Sequence, residues 1–289
     1  AMHVPVEVEV ADRARDAARL GHVDLLVTVG GGSAVGTAKA VSLTSGLPQV
    51  AVPTTYAGSE ATNVWGMTEA GRKVTGTDDV VLPVSVIYDS GLTLSLPVEL
   101  SVASGLNGIA HCVDSLWAPK ADPINAALAT EGARALAAGL SQIVEDPAAV
   151  DGRDQALYGA YLAAVSFASA GSGMHHKLCH ILGGTFNLPH AQTHAVVLPY
   201  VLAFNAPYAP AAERRLAAAF GAPSAVEGLA HLRELLDAPR SLAALGFTAE
   251  GIPTVVEQAL EAVPAGNPRP VTRENLTELL RGALGAGQV

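Results

Sequence analysis

The sequence predicts a parallel α/β domain followed by an all-helical domain, and three observations carry that expectation. Short β-branched runs alternate with helical patterns over residues 1 to about 90. Beyond "GLTLSLP" (residues 91–97) long Ala/Leu segments take over. Of the 289 residues 49% are apolar and only 15% charged, so both parts can be buried. The boundary near residue 90 gives domains of 1–90 and 91–289.

Taken in order, "DLLVTV" (Asp24–Val29) is an apolar run of strand length ended by three glycines. "SAVGTAKAVSL" follows with helical spacing and places Ala34, Ala38 and Val41 on one side. "PQVAVPTT" reads as a second buried strand and "VLPVSVIYD" as a third. Strand, helix, strand in this order implies a parallel sheet. Three or four strands are fewer than a doubly wound domain holds, and the chain opens directly on "AMHVPVEV", so at least one further βαβ unit is expected ahead of it. The later segments "VELSVASGLNGIAHCVDSLWA", "INAALATEGARALAAGLSQIV" and "DQALYGAYLAAVSFASAG" carry apolar residues at i, i+3 and i+4 and read as helices.

A net charge of -10 with no basic stripe argues against a nucleic-acid partner. No run of 18 apolar residues suggests a membrane span, and the start has no basic, then apolar, leader, so a cytoplasmic protein is expected. Cys112 and Cys179 form no C-x-x-C and read as small buried hydrophobes.

"VTVGGGSAVGTAKA" sets Gly30, Gly31, Gly32 and Ser33 between a strand and a helix. Glycines allow close approach of a ligand, and the helix that follows presents free N–H groups that suit a pyrophosphate; Ser33 could cap that helix and donate to a phosphate oxygen. The competing reading is a plain tight turn, since Gly30, Gly32 and Gly36 are spaced G-x-G-x-x-x-G rather than G-x-G-x-x-G. "PTTYAGSEATN" then leaves a strand with Thr54, Thr55, Ser59, Thr62 and Asn63. Small hydroxyls at a neighbouring strand end make a nucleotide crevice the better reading.

"GGGS…AK", "PTT…GSE", "LTLSLP", "GLNGIAHCVDSL" and "HHKLCHILGGTFNLPHA" occur in that order. Together they resemble the iron-containing alcohol dehydrogenase superfamily, most closely its maleylacetate reductase branch, over essentially the whole chain. The resemblance implies a Rossmann-like nucleotide-binding domain followed by an all-α helical domain, the dehydroquinate synthase-like fold, with NADH or NADPH in the cleft between them. It also implies a homodimer, a small dicarboxylate substrate, and reduction of maleylacetate to 3-oxoadipate. Metal-dependent members hold their ion with an Asp and three His. Carried over, these positions are Asn107, His111, His176 and His190, while His180 matches a histidine near the nicotinamide. His175 and His194 match no role. Gly36 stands where an Asp is common, and Tyr56 and Ala57 alter the usual Ala-Gly-Thr run.

Gly171–His194 holds five of the chain's nine histidines, too dense for all to be structural filler. Asn107 and His111 are four apart on a predicted helix and face one way, as do His176 and His180; His190 follows a helix break at "GG" and Pro189. Three imidazoles from two elements could meet at one ion. Against this, Asn107 offers a neutral amide where an anion is needed, so a divalent metal is expected to be dispensable; if one binds, His111, His176 and His190 are its ligands. The expected catalytic set is Asn107, His111, His176, His180 and His190, acting on a conjugated C=C that accepts hydride without a strong Lewis acid. For the dianionic substrate the nearest cation in sequence is Lys177, with imidazolium forms of His111, His176 and His190 as alternatives. The rival readings are a metal-dependent alcohol or polyol dehydrogenase on the same fold, and a nucleotide-binding protein without catalysis. The choice between NADH and NADPH rests on an acidic residue after a first strand that the sequence does not contain.

Overall fold

The computed structural model describes residues 6–69 and 72–286. The first part of the chain runs β1 (Val6–Glu7), α1 (Val8–Leu20), β2 (Leu26–Gly30), α2 (Gly32–Ser45), β3 (Gln49–Pro53), β4 (Val64–Glu69), β5 (Arg72–Thr77) and β6 (Ser85–Val86). These strands make two three-stranded sheets. One is parallel in the order β2-β3-β6, and in the other β1 runs parallel to β4, which pairs antiparallel with β5. Helix α2 packs against strands of both. The expected parallel sheet is present, but its third strand is reduced to Ser85–Val86. Residues either side, Val84 and Ile87, are 70% and 52% exposed, so "VLPVSVIYD" is a short edge rather than a buried strand. Sequence reading also passed over the β4–β5 hairpin. Its glycines, Gly66 and Gly76, interrupt the alternation, and Gly76 packs under the Trp65 ring.

From Val98 onward the described residues form helices: α3 (Val98–Ser115), α4 (Pro123–Glu145), α5 (Val150–Ala170), α6 (Met174–Phe186), α7 (His190–Asn205), α8 (Pro210–Phe220), α9 (Ala225–Leu235), α10 (Ile252–Ala262) and α11 (Arg273–Arg281). The three long segments expected as helices are α3, α4 and α5. Residues 101–115 of α3 are all buried, which makes it the axis of this part. Helices α4 and α5 approach through glycine: a Cβ at Gly159 would lie 2.7 Å from the Leu136 backbone nitrogen, and one at Gly139 would lie 2.6 Å from the Gly152 carbonyl. Small side chains thus replace the missing aromatics as the means of close packing. A second apolar cluster, with Leu178, Leu182, Val197 and Val201, binds α6 and α7 to α10 and α11.

Not every glycine has such a neighbour. Gly184, exposed within α6, has nothing within 4 Å of its absent Cβ and no positive φ. Gly184→Ala is therefore expected to raise stability by about 0.5–1 kcal/mol, since it costs the unfolded chain freedom and meets no atom in the folded one. Chemical denaturation of the two proteins checks this; a loss of stability would show that the position is not open.

Candidate active site

The register of β2 and β3 pairs Gly30 with Pro53, so both strands end side by side at their carboxyl ends. The Thr54 N–H donates to the Gly30 carbonyl at 3.1 Å, tying the glycine loop to the hydroxyl-rich loop. A Cβ at Gly31 would come within 2.8 Å of Thr55 Cγ2, so only glycine lets the loops approach this closely. Helix α2 begins at Gly32, with Gly31 as a cap that supplies no side-chain bond. Ser33 therefore does not cap the helix as expected: starting one residue earlier puts it inside the first turn, with its side chain exposed. Thr54 and Thr55 are half-buried, whereas the Ser59 hydroxyl is fully buried with no hydrogen-bond partner.

Beneath this crevice lies Lys39, the lysine of "GGGS…AK", to which the sequence assigned no role of its own and which sits about two turns inside α2. It is fully buried, and its Nζ donates to the carbonyls of Ser59 (2.7 Å), Thr62 (2.7 Å) and Val64 (2.8 Å). Burial pulls its pKa down to about 7, opposed by the charge of buried Glu60. Three carbonyls use all three N–H bonds of an ammonium, so the cation is the form that satisfies the loop.

The histidines meet where α3, α6 and α7 come together. Asn107, His111 and Asp114 stand on α3, all buried. His175 and His176 open α6, and His194 lies in the second turn of α7. The His111 ring is stacked on that of His176 at 4.9 Å, with Phe167 from α5 4.2 Å from His176. His194 lies 5.0 Å from His176 and 4.5 Å from His190, ring centre to ring centre. His190 and His180 are only half-buried, and His180 is 6.4 Å from His176. All the expected histidines thus lie in one neighbourhood, together with His175 and His194, for which the sequence suggested nothing. Lys177 is half-buried.

Asp114 organises the cluster. Its Oδ2 lies 2.6 Å from His176 Nδ1 and accepts the backbone N–H groups of His176 and Gly173, each at 3.1 Å. Its Oδ1 accepts from the His175 N–H at 3.3 Å and from Trp117 Nε1 at 3.4 Å. One carboxylate thus caps α6, whose own N-cap residue is Gly173. A second pair joins His175 Nε2 to His194 Nδ1 at 2.9 Å, with Cys179 Sγ 3.6 Å from His175 Nε2. Cys179 and Cys112 are buried as expected, and burial pushes both thiols up.

Several polar atoms here are buried without a hydrogen-bond partner: Asn107 Oδ1, both ring nitrogens of His111, His176 Nε2, His175 Nδ1 and His194 Nε2. Each such atom costs about 1–3 kcal/mol, so the cluster is built to meet something. Burial holds His111, His176 and His194 well below the ordinary imidazole pKa, and His175 at about 3. The expectation that His111 and His176 serve as imidazolium partners of a dianion is corrected by this: removed from water, both stay neutral at neutral pH.

A metal centre built on an Asp and three His would lack its carboxylate here, since Asn107 stands in that place. The atoms left open are an amide oxygen and neutral imidazole nitrogens, and the one carboxylate in the cluster spends both oxygens on five donors. Among the described residues, the only three metal-capable atoms within 4.8 Å of one another belong to His175, Cys179 and His194, not to His111, His176 and His190.

A family model described as iron-containing alcohol dehydrogenase matches residues 3–90, and one described as Fe-containing alcohol dehydrogenase family, C-terminal, matches residues 101–284. The chain is 48% identical to a maleylacetate reductase of Burkholderia cepacia over 98% of its length and 79% of the relative's. It is 51% identical to maleylacetate reductase 2 of Cupriavidus pinatubonensis over the same shares. Among solved structures, an iron-containing alcohol dehydrogenase of Corynebacterium glutamicum superposes with a TM-score of 0.96 at 68% identity, covering 98% of this chain and 80% of that one. A maleylacetate reductase from Rhizobium sp. gives 0.91 at 44% identity with the same coverage.

Proposed function

The chain belongs to the iron-containing alcohol dehydrogenase family, in its maleylacetate reductase branch, and is an NAD(P)H-dependent oxidoreductase; from that premise we propose that it reduces maleylacetate to 3-oxoadipate and needs no metal ion to do so. The observation that carries this reading is the set of unpartnered buried atoms on Asn107, His111 and His176, which includes no anion. We assign the coenzyme to the loops at Gly30–Ser33 and Thr54–Thr55 within residues 1–90, and the chemistry to residues 91–289.

The coenzyme, when bound, would supply a hydride to the conjugated C=C, and the electron pair of that bond would come to rest on an oxygen of the attached carbonyl as an enolate. His111, neutral and bonded through neither ring nitrogen, has one N–H to offer that oxygen. Half-buried His180 and His190 adjoin His176 and His194 and are the groups suited to passing in the proton that returns the enolate to the ketone. An isolated alcohol or ketone lacks the conjugation and needs a Lewis acid, so the neutral cluster disfavours an alcohol dehydrogenase.

The test is NADH and NADPH oxidation with maleylacetate, with and without a strong chelator. Turnover is expected to survive the chelator. Turnover that is lost and returns with Fe²⁺ or Zn²⁺ would make the histidines ligands and overturn the metal-free reading.

A further inference from the structure

We propose that Asp114 is a positioning residue that locks His176 in the Nδ1–H tautomer, so that its buried Nε2 faces the reaction as a bare hydrogen-bond acceptor. The functional half of this inference rests on the reductase reading above; the structural half does not.

Four observations fix the tautomer. Asp114 is fully buried and receives three backbone N–H groups and the indole N–H of Trp117, donors that have no other state to adopt. A carboxyl group facing that many donors is held as an acceptor. The remaining contact, Asp114 Oδ2 to His176 Nδ1 at 2.6 Å, then requires the imidazole to supply the proton. With Nδ1 protonated and the ring neutral, Nε2 carries the lone pair, and it is buried with no partner. Ring rotation cannot undo this, because His176 is wedged between His111 at 4.9 Å and Phe167 at 4.2 Å.

The consequence separates the histidines by role. His176 donates no proton to the enolate, because the proton it holds is turned toward Asp114. It accepts a hydrogen bond, and the donors chemically suited to it are a water or a hydroxyl of the bound substrate or coenzyme. His111, with neither nitrogen committed, is free to present its N–H, so the two stacked rings offer one acceptor and one donor side by side. Asp114 touches none of the reacting atoms in this scheme. It acts through the ring it holds, in the manner of a carboxylate that orients a histidine from behind.

Nitrogen-15 NMR of histidine-labelled protein at neutral pH, with the His176 signal assigned by its loss in His176→Asn, reads the tautomer directly. The expected spectrum has a protonated, pyrrole-type Nδ1 and an unprotonated, pyridine-type Nε2. A protonated Nε2 in the unaltered protein overturns the proposal whatever the activity. Asp114→Asn is expected to abolish the fixed tautomer and to lower kcat by about 10- to 100-fold, with KM for the coenzyme little changed. Asp114→Glu is expected to return the Nδ1–H signal and part of kcat. A folded Asp114→Asn protein that keeps the wild-type tautomer also overturns it. The expected tautomer together with no turnover of maleylacetate would remove the substrate assignment and leave the positioning role standing.

Discussion

If the proposed metal-free reading holds, replacing Asn107 by aspartate is expected to make the site depend on an ion. Position 107 is 2% exposed, and its Oδ1 has no hydrogen-bond partner. A carboxylate there would be taken out of water among neutral imidazoles, with Asp114 a helical turn or two further along the same helix face. Burial of an unpaired charge is expensive enough that the new group would hold a proton or unfold part of the site. A divalent cation removes both penalties, because Asn107→Asp supplies the missing anion beside His111 and His176. In the absence of metal the variant should lose stability and at least tenfold of its maleylacetate turnover. With Fe²⁺ or Zn²⁺ it should regain stability by about 3–4 kcal/mol at saturating ion, a gain the parent protein does not show. Thermal unfolding with and without ion, and turnover after passage over a chelating resin, are the measurements. Unchanged turnover and no response to metal would mean that residue 107 does not decide the matter.

The second large effect is acid lability. Four imidazoles, on His111, His175, His176 and His194, are fully buried, and burial lowers all of their pKa values, that of His175 to about 3. A histidine in the unfolded chain titrates near 6.5, so below that pH the unfolded state binds protons that the folded state refuses. Stability then falls as pH falls, with a slope set by the difference in protons bound. Asp114 works the other way. Burial raises its pKa to about 6, so below about 6 the folded state gains one proton that the unfolded chain, at 3.8, does not take until lower pH. Four lowered imidazoles outnumber the one raised carboxylate, so the balance lowers stability as pH falls below about 6.5. Urea midpoints at pH 7.5, 6.5 and 5.5 should fall steeply, and His194→Gln should reduce the slope by about one proton. A midpoint flat across this window would show that the cluster is already charged or otherwise satisfied in the folded state.

How much of this was legible in the sequence depends on whether a residue's role is local. The helices α3, α4 and α5 were readable because apolar spacing is a property of the segment itself, and the glycine loop because its function is carried by missing side chains. Asn107, His111 and His176 were found through their helical spacing and the family resemblance. Asp114 was not. It lies three residues past His111 in "HCVDSLW", where an aspartate passes for a solvated helix position, and its partners come from α6, some sixty residues on. The one signal available was on the other helix: α6 opens on "GSGMHH", with histidines in its first turn and, at Gly173, no side chain able to cap it. The role of Lys39 was hidden in the same way, its acceptors all lying 20 or more residues away. The overestimated third strand failed for a different reason. Composition marks β-branched residues as strand-forming but says nothing of how far pairing extends, and here it stops at Ser85 and Val86, closed on each side by the Val84 and Ile87 N–H groups that donate to Gln49 and Ala51.

The unpartnered atoms on Asn107, His111, His175, His176 and His194 also bear on attempts to engineer this chain for endurance. Each is a standing debt that a leucine or phenylalanine of similar volume would cancel. Selection for heat tolerance alone would therefore be drawn to this cluster first, and the most durable variants it produced would be those that had forgotten the reaction. Selection has to couple survival to turnover at every round, or hold these five positions fixed and look for gains elsewhere.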